Sequence, residues 1–354
     1  LNSQSSPDNR NNPQNTWLNA WYGKSRWTFW LLPVMWLFVL LSGLRRFWIL
    51  RYQQKHLPTP VVVVGNISVG GTGKTPLIIA LVKWLQQQGY NPGVISRGYG
   101  GNVPCYPYLI NSASTALEAG DEPITIFQQT NTPVVVGPDR IASGKVLEDQ
   151  GCDILLSDDG LQHYRLGRDI EIAVVDGQRG LGSGWRIPVG PLREPASRLK
   201  KVDWVIVNSP RDDFVLSAGD SEPLFYVPMQ IQPAQFVHLP SGNQIASTDL
   251  PTCINAVAGI GNPQRFVDTL QALGFEPQLH AFPDHHAFTL DDLAFNDYLP
   301  VVMTEKDAVK CREFAQKNWF YLPVVAELPD SFWSAFAQKL ERINALKKSR
   351  FPLR

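Results

Sequence analysis

The chain has little cysteine: four residues in 354, at Cys105, Cys152, Cys253 and Cys311, with no CxxC pair among them. That spacing excludes a disulfide framework or a structural zinc site and suits a reducing compartment. An excess of either charge is also missing, since 32 basic residues face 32 acidic ones. No overall field therefore recruits a nucleic-acid partner. There is no internal repeat or coiled-coil heptad, and no Asn-Lys-x-Asp guanine signature in the expected register. The length suffices for two domains with filled cores and an appendage.

Charge is absent altogether from residues 28–44, TFWLLPVMWLFVLLSGL. Such a run is near the lower limit for crossing a bilayer's hydrocarbon core. Trp27 and Trp30 bracket it on one side, Phe47, Trp48 and Tyr52 on the other, and six of the eleven tryptophans lie within the first 48 residues. Arg45, Arg46, Arg51 and Lys55 follow the run, against Lys24 and Arg26 before it, which places the downstream side in the cytoplasm. Three readings fit: a single span, a helix on or in the membrane face, or a helix docked on protein. A late start and the lack of a small-residue cleavage site argue against a secretory signal. The polar residues 1–16 read as a disordered lead-in.

What is present is a phosphate cradle. The apolar run Val61–Val64 leads into GNISVGGTGKTP, residues 65–76, and a helix-like segment from Leu77 to Gln88 follows. A glycine-rich loop between a buried strand and a helix turns its amides around phosphate oxygens, and the helix adds its positive end. Gly70, Gly71, Thr72, Gly73, Lys74 and Thr75 are the cradle residues. Lys74 reaches the β and γ phosphates, and Thr75 completes the shell of a magnesium ion. Ser68 stands where the usual pattern has its first glycine.

Further short apolar runs end in polar clusters: Gly93–Ser96 before RGYG, Val134–Val136 before GPDR, and Asp153–Leu156 before SDDG. Ile172–Val175 ends at Asp176 and Trp204–Val207 at Asn208. Continuous apolar strands at helix-sized intervals predict a mostly parallel sheet covered on both faces, with ligands at the strands' carboxyl ends. A second α/β rhythm follows the Gln-, Pro- and Ser-rich segment 227–247. Its predicted strands are Cys253–Ala258, Gln278–Phe282, Val301–Met303 and Phe320–Val325, and its predicted helices Gln264–Leu273 and Ser331–Lys347. The fold class is therefore α/β, a P-loop core plus a smaller α/β domain, divided as 1–56, 57–225 and 226–354.

Asp158 and Asp159, at a strand end downstream of the cradle, are placed to hold Mg²⁺, a hard cation that prefers oxygen. Arg97, in a loop at a strand end, is a phosphate-contact candidate, and Arg193 could meet phosphate with Glu194 as a further metal ligand. By spacing alone, Gly120-Asp121-Glu122-Pro123 reads as a solvent-facing turn, Asp284-His285-His286 as structural or surface histidines, and Lys306 as an ordinary salt-bridge former. A carboxylate or a His near an attacking hydroxyl would nonetheless serve as a base.

Taken together, GNxxxGGTGKTP, SRGYG, GDEP, SDDGLQH, GPLREP, DHH and TEKDAVK resemble the tetraacyldisaccharide 4'-kinase family of Gram-negative bacteria, from about Trp17 to about Val325. The resemblance implies a P-loop kinase, bound through an N-terminal helix to the cytoplasmic face of the inner membrane. It would use ATP and Mg²⁺ to phosphorylate the 4'-hydroxyl of a tetraacylated glucosamine disaccharide 1-phosphate in lipid A assembly. It also implies a base dyad, Asp121 with a histidine of the DHH motif, His285 first and His286 as the alternative, and links Asp158, Asp159 and Glu194 to magnesium. No nucleic acid and no obligate protein partner are implied. A different class, a membrane-associated ATPase or GTPase switch, would hydrolyse nucleotide without a lipid acceptor; a non-catalytic lipid carrier would need a vestigial cradle.

Overall fold

A computed structural model of the chain describes residues 13–23, 26–218, 222–295 and 297–350. The expected lead-in lies outside the described residues as far as Asn12, and so does Lys24; from Pro13 the chain is helical (α1, Pro13–Tyr22). A 3₁₀ turn, Trp27–Leu31, then feeds α2, Leu32–Tyr52, with Pro33 in its first turn, where its missing N–H costs nothing.

Two sheets follow. The first is built from β1 (Val61–Gly65), β2 (Pro92–Ser96), β3 (Tyr108–Leu109), β4 (Val134–Val136), β5 (Ile154–Ser157), β6 (Ile170–Asp176), β7 (Trp204–Asn208) and β8 (Val227–Pro233). The second holds β9 (Phe236–His238), β10 (Gln244–Ile245), β11 (Cys253–Ala258), β12 (Glu276–Ala281), β13 (Val301–Thr304) and β14 (Trp319–Leu322). A last strand, β15 (Val324–Glu327), returns to the first sheet, giving nine strands in the order β15-β8-β7-β6-β1-β5-β2-β4-β3. Only its edges, β3 and β15, pair antiparallel. The other sheet has the order β10-β9-β14-β13-β11-β12.

Helices α3 (Lys74–Gln87), α4 (Ala116–Ala119), α5 (Asp121–Thr130), α6 (Arg140–Asp149), α7 (Pro263–Ala272), α8 (Glu305–Cys311) and α9 (Asp330–Arg350) connect and cover the strands. The apolar strands are buried on both faces, as their lack of alternation predicts. Leu77, Leu81 and Leu85 of α3 share one core with Phe332, Phe336 and Leu340 of α9, and Trp84 stacks on Trp333 at 5.4 Å.

Two expectations are corrected. The single strand expected over Phe320–Val325 is two strands in different sheets. Pro323 separates them, because it has no N–H for a ladder and its carbonyl accepts from Ala234 N at 2.9 Å. The GDEP segment is not a solvent-facing turn: Asp121 opens α5 and is buried. Proline is tolerated in a first turn, and the two acids there suit the helix's positive end.

Candidate active site

The cradle follows β1 at the centre of the larger sheet. Gly70 (φ +106°) and Gly73 (φ +90°) take backbone shapes that glycine adopts without strain, and α3 starts at Lys74. Asn66 Nδ2 donates to the Gly70 carbonyl at 3.2 Å and Asn208 Nδ2, from the end of β7, to the Thr72 carbonyl at 3.1 Å. The approach is close: a Cβ on Gly73 would stand 2.5 Å from that Asn208 nitrogen.

Behind the cradle, Lys74 Nζ lies 3.5 Å from Asp159 Oδ1, and Arg193 Nη1 donates to Asp159 Oδ2 at 3.1 Å. Burial alone would raise the Asp159 carboxyl, but Lys74 and Arg193 outweigh it and hold it below the usual range. Asp158 is different. It is 2 % exposed, its Oδ1 is buried without a hydrogen-bond partner, and burial, followed by Glu122 and Asp159, pushes its pKa up. A buried carboxylate lone pair with no donor is expensive, and a hard cation is the group it lacks. Thr75, Asp158 and Asp159 thus fit Mg²⁺, which takes one or two carboxylates and leaves its remaining positions to water and phosphate. Thr72 Oγ1, also buried and unpartnered, adds a second polar atom awaiting a ligand.

The structure joins the two acid–histidine motifs across the cleft between the sheets. His285 Nδ1 sits 3.0 Å from Asp121 Oδ2 and 3.2 Å from Oδ1, and the Glu122 amide donates to Asp121 Oδ1 at 2.9 Å. Tyr99 lies against the His285 ring, centroids 5.2 Å apart. His286 turns away to Asp292 at 3.2 Å. Burial would raise Asp121, yet the His285 hydrogen bond and Lys306 together hold it low. The same hydrogen bond raises His285 against the opposing effect of burial. Among the described residues four non-glycines have positive φ, and three of them, Asp159, Ser209 and His285, are here. Strain of that kind persists only where surroundings over-determine it.

A cavity of about 350 Å³ opens between these parts. Gly71, Thr72, Gly73, Lys74 and Thr75 form one wall and Glu122, Asp284 and Lys306 another. Arg97 is exposed at the exit of β2 and does not line it. Nor does Glu194: its carboxylate accepts from Gln162 Nε2 at 2.8 Å and from Tyr164 OH, and it pairs with Arg198 and Arg46 at 3.5 and 3.6 Å. With protein donors on both oxygens, Glu194 anchors helix α2 rather than facing the cavity. Asn208 and Arg265 were missed as site residues. Arg265, in the first turn of α7, donates to Ser209 Oγ at 2.6 Å and Asn208 Oδ1 at 3.3 Å. The usable signal was Asn208's place at a strand end.

A glycine cradle after the central strand, paired carboxylates at the end of β5 and an aspartate–histidine pair whose neighbours Glu122 and Asp284 line the cavity define a P-loop phosphotransferase. A family model described as tetraacyldisaccharide-1-P 4'-kinase matches residues 27–341. The tetraacyldisaccharide 4'-kinase of Aeromonas salmonicida is 47% identical over 331 residues, covering 90% of this chain and 95% of that one. That of Colwellia psychrerythraea is 50% identical over 313 residues, covering 85% and 89%. The LpxK structure from Aquifex aeolicus in complex with ATP superposes with a TM-score of 0.75 at 25% identity, over 89% of this chain and 99% of that one. The chain belongs to the tetraacyldisaccharide-1-P 4'-kinase family of enzymes.

Proposed function

We propose that this enzyme transfers the γ-phosphoryl group of ATP to the 4'-hydroxyl of an acylated glucosamine disaccharide 1-phosphate, a lipid A precursor, giving the 4'-phosphorylated lipid IVA. The observation that carries the reading is the Asp121–His285 pair, 3.0 Å apart, beside the cavity of Lys74 and Thr75.

In this reading the cradle amides and Lys74 hold the triphosphate, and Ile79, Ile231, Pro233, Ile260 and Phe266 offer the nucleoside an apolar wall. His285 Nε2, 3.9 Å from Asp284 Oδ2 and opposite the Nδ1 bond to Asp121, accepts the proton as the sugar oxygen attacks the γ-phosphorus and the bond to ADP breaks. Asp121 fixes the ring's tautomer and steadies the imidazolium. Thr75, Asp158 and Asp159 would hold Mg²⁺, which neutralises charge on the phosphate oxygens when bound. Residues 57–225 hold the triphosphate, and 226–354 supply most of the nucleoside wall and the histidine, with β8, β15 and α9 crossing back to the larger sheet.

Residues Trp27–Tyr52 form 26 residues of apolar helix. Met35 and Ile49 are buried, Arg186 Nη2 reaches Ser42 Oγ at 3.1 Å and lies over the Phe38 ring, and Arg46 pairs with Glu194. One stripe of the helix is thus docked along its length, while Trp30, Leu37, Leu40, Leu44 and Phe47 are exposed. That favours a helix lying in the cytoplasmic membrane face over a full span. It brings the enzyme to a substrate whose chains are held in the bilayer by about 0.8 kcal/mol per CH₂.

The test is labelled ATP with magnesium and a defined disaccharide 1-phosphate lipid in detergent. Label transferred to the lipid is expected. Nucleotide hydrolysis with no transfer would refute the kinase reading and restore the switch.

A further inference from the structure

Lys306 projects into the cleft from the first turn of α8, directly after β13. Its ammonium lies 3.3 Å from Glu122 Oε1, 3.3 Å from Asp284 Oδ1 and 3.8 Å from Asp121 Oδ2. Two of these carboxylates come from α5 under the larger sheet and one from the histidine loop under the smaller. One cation therefore spans the joint at which the proposed base is assembled.

The geometry differs from a simple ion pair. Lys310 with Asp307 and Lys339 with Asp203 are one-to-one contacts at 2.7 Å. Lys306 makes three looser contacts that diverge, as a bridge among mutually repelling groups requires. His285, in the left-handed region at φ +62°, sits between Asp284 and Asp121. Without a cation between them, the carboxylates on opposite sides would push the loop from α5.

Resting on the kinase reading above, we propose that Lys306 is a positioning residue for the transfer: it clamps Asp121, Glu122 and Asp284 across the cleft, so that Asp121 stays charged and His285 stays seated on it.

The groups around this cluster are Asp121 and Glu122 on α5, Asp284, His285 and Tyr99 from loops, and Glu305, Asp307 and Lys310 on α8. Lys74, Asp158 and Asp159 face it from the cradle side. Removing the Lys306 charge leaves nothing so near to oppose proton uptake. Asp121 and His285 then both hold protons to higher pH, and the fraction of enzyme with a neutral His285 falls on the acid side.

The experiment compares kcat and KM for ATP across the acid limb of the pH profile for wild type, Lys306→Met and Lys306→Arg, using the full chain in detergent. Lys306→Met is expected to lose kcat on the order of 10²-fold, with KM for ATP little changed and the acid limb moved to higher pH. Lys306→Arg, which keeps the charge, is expected to restore both. Lys306→Gln keeps hydrogen-bond donors without charge; it is the second variant should Met not fold, with the same upward limb. An unmoved limb in either neutral variant, or a raised KM with kcat intact, overturns the proposal. Wild type that transfers no phosphoryl group refutes the kinase reading instead.

Discussion

Removing Asp121 and His285 singly and together asks whether they form one base. General-base catalysis contributes about 10²- to 10⁴-fold, so the middle of that range is about 4 kcal/mol for losing either partner. Two independent contributors would multiply to about 10⁶-fold, or about 8 kcal/mol. Asp121 is 5 % exposed and spends its carboxylate on His285 Nδ1 at 3.0 Å, so the aspartate acts through the ring. The double variant Asp121→Ala/His285→Ala is therefore expected to be little slower than either single variant, leaving a coupling of about 4 kcal/mol. The pH profile provides a second sign. The Asp121 hydrogen bond raises His285, whereas burial and Lys306 lower it. In Asp121→Asn the two largest raising influences vanish, leaving only Asp284 to set against burial and Lys306, so the acid limb of kcat must move to lower pH. Single-turnover transfer to the lipid at saturating ATP measures both. Multiplicative losses, or a limb that stays put or climbs in Asp121→Asn, would refute the shared proton path.

Gly73→Ala is expected to raise KM for ATP more than tenfold with the fold intact, because its Cβ would meet Asn208 Nδ2 at 2.5 Å and φ is +90°; calorimetric nucleotide titration checks it. Glu194→Gln is expected to lower thermal stability by about 2 kcal/mol, the worth of a hydrogen bond to a charged group, without changing the magnesium dependence of kcat. A shifted magnesium midpoint would return Glu194 to the metal site. Phe336→Ala, fully buried against Trp84, Trp204 and Phe332, should cost about 3–5 kcal/mol in denaturant unfolding. The stability difference between wild type and His285→Ala should peak at mildly acid pH. The His285 contribution is fully present below the ordinary 6.5 and is lost as pH rises through its raised value; that of Asp121 is present above 3.8 and is lost as pH falls through its lowered value. Thermal midpoints across pH test this.

The larger sheet was legible because its strands are short, continuous and apolar, and the cradle because glycine, lysine and threonine at that spacing have few other uses. The Asp121–His285 pair was not legible from spacing. Asp121 and His285 are 164 positions apart, and DEPITIFQQT hides its helix behind a proline and β-branched residues that suggest a turn or strand. Only the closing of one sheet on the other brings the pair together. The surroundings of Glu194 were hidden for a different reason. Its position beside Arg193 suggested a shared task, but the turn sends Arg193 to Asp159 and Glu194 to Arg46, Arg198 and Tyr164. Pro323 was visible in the sequence, yet its effect, splitting one apolar run between two sheets, depends on which strands have open edges.

That turn also ties the apolar helix α2 to the cradle. Arg193 N donates to the Ile67 carbonyl at 2.7 Å, Val69 N to the Pro191 carbonyl at 2.9 Å, and Leu192 bridges to Ser68, so GPLREP is laced to the first half of the cradle loop. One residue further, Glu194 grips Arg46 of α2, whose guanidinium also lies 4.8 Å from the Tyr164 ring. The path from the apolar helix to Asp159 and Lys74 therefore runs through Arg46, Glu194 and Arg193, in direct contacts at each link. A helix merely tethered by a linker would leave the cavity's orientation to the bilayer free. On the proposed membrane attachment, a helix bolted to the loop that also positions Asp159 would fix the height and tilt of the cradle above the lipid, and hence which hydroxyl of an embedded sugar would reach His285.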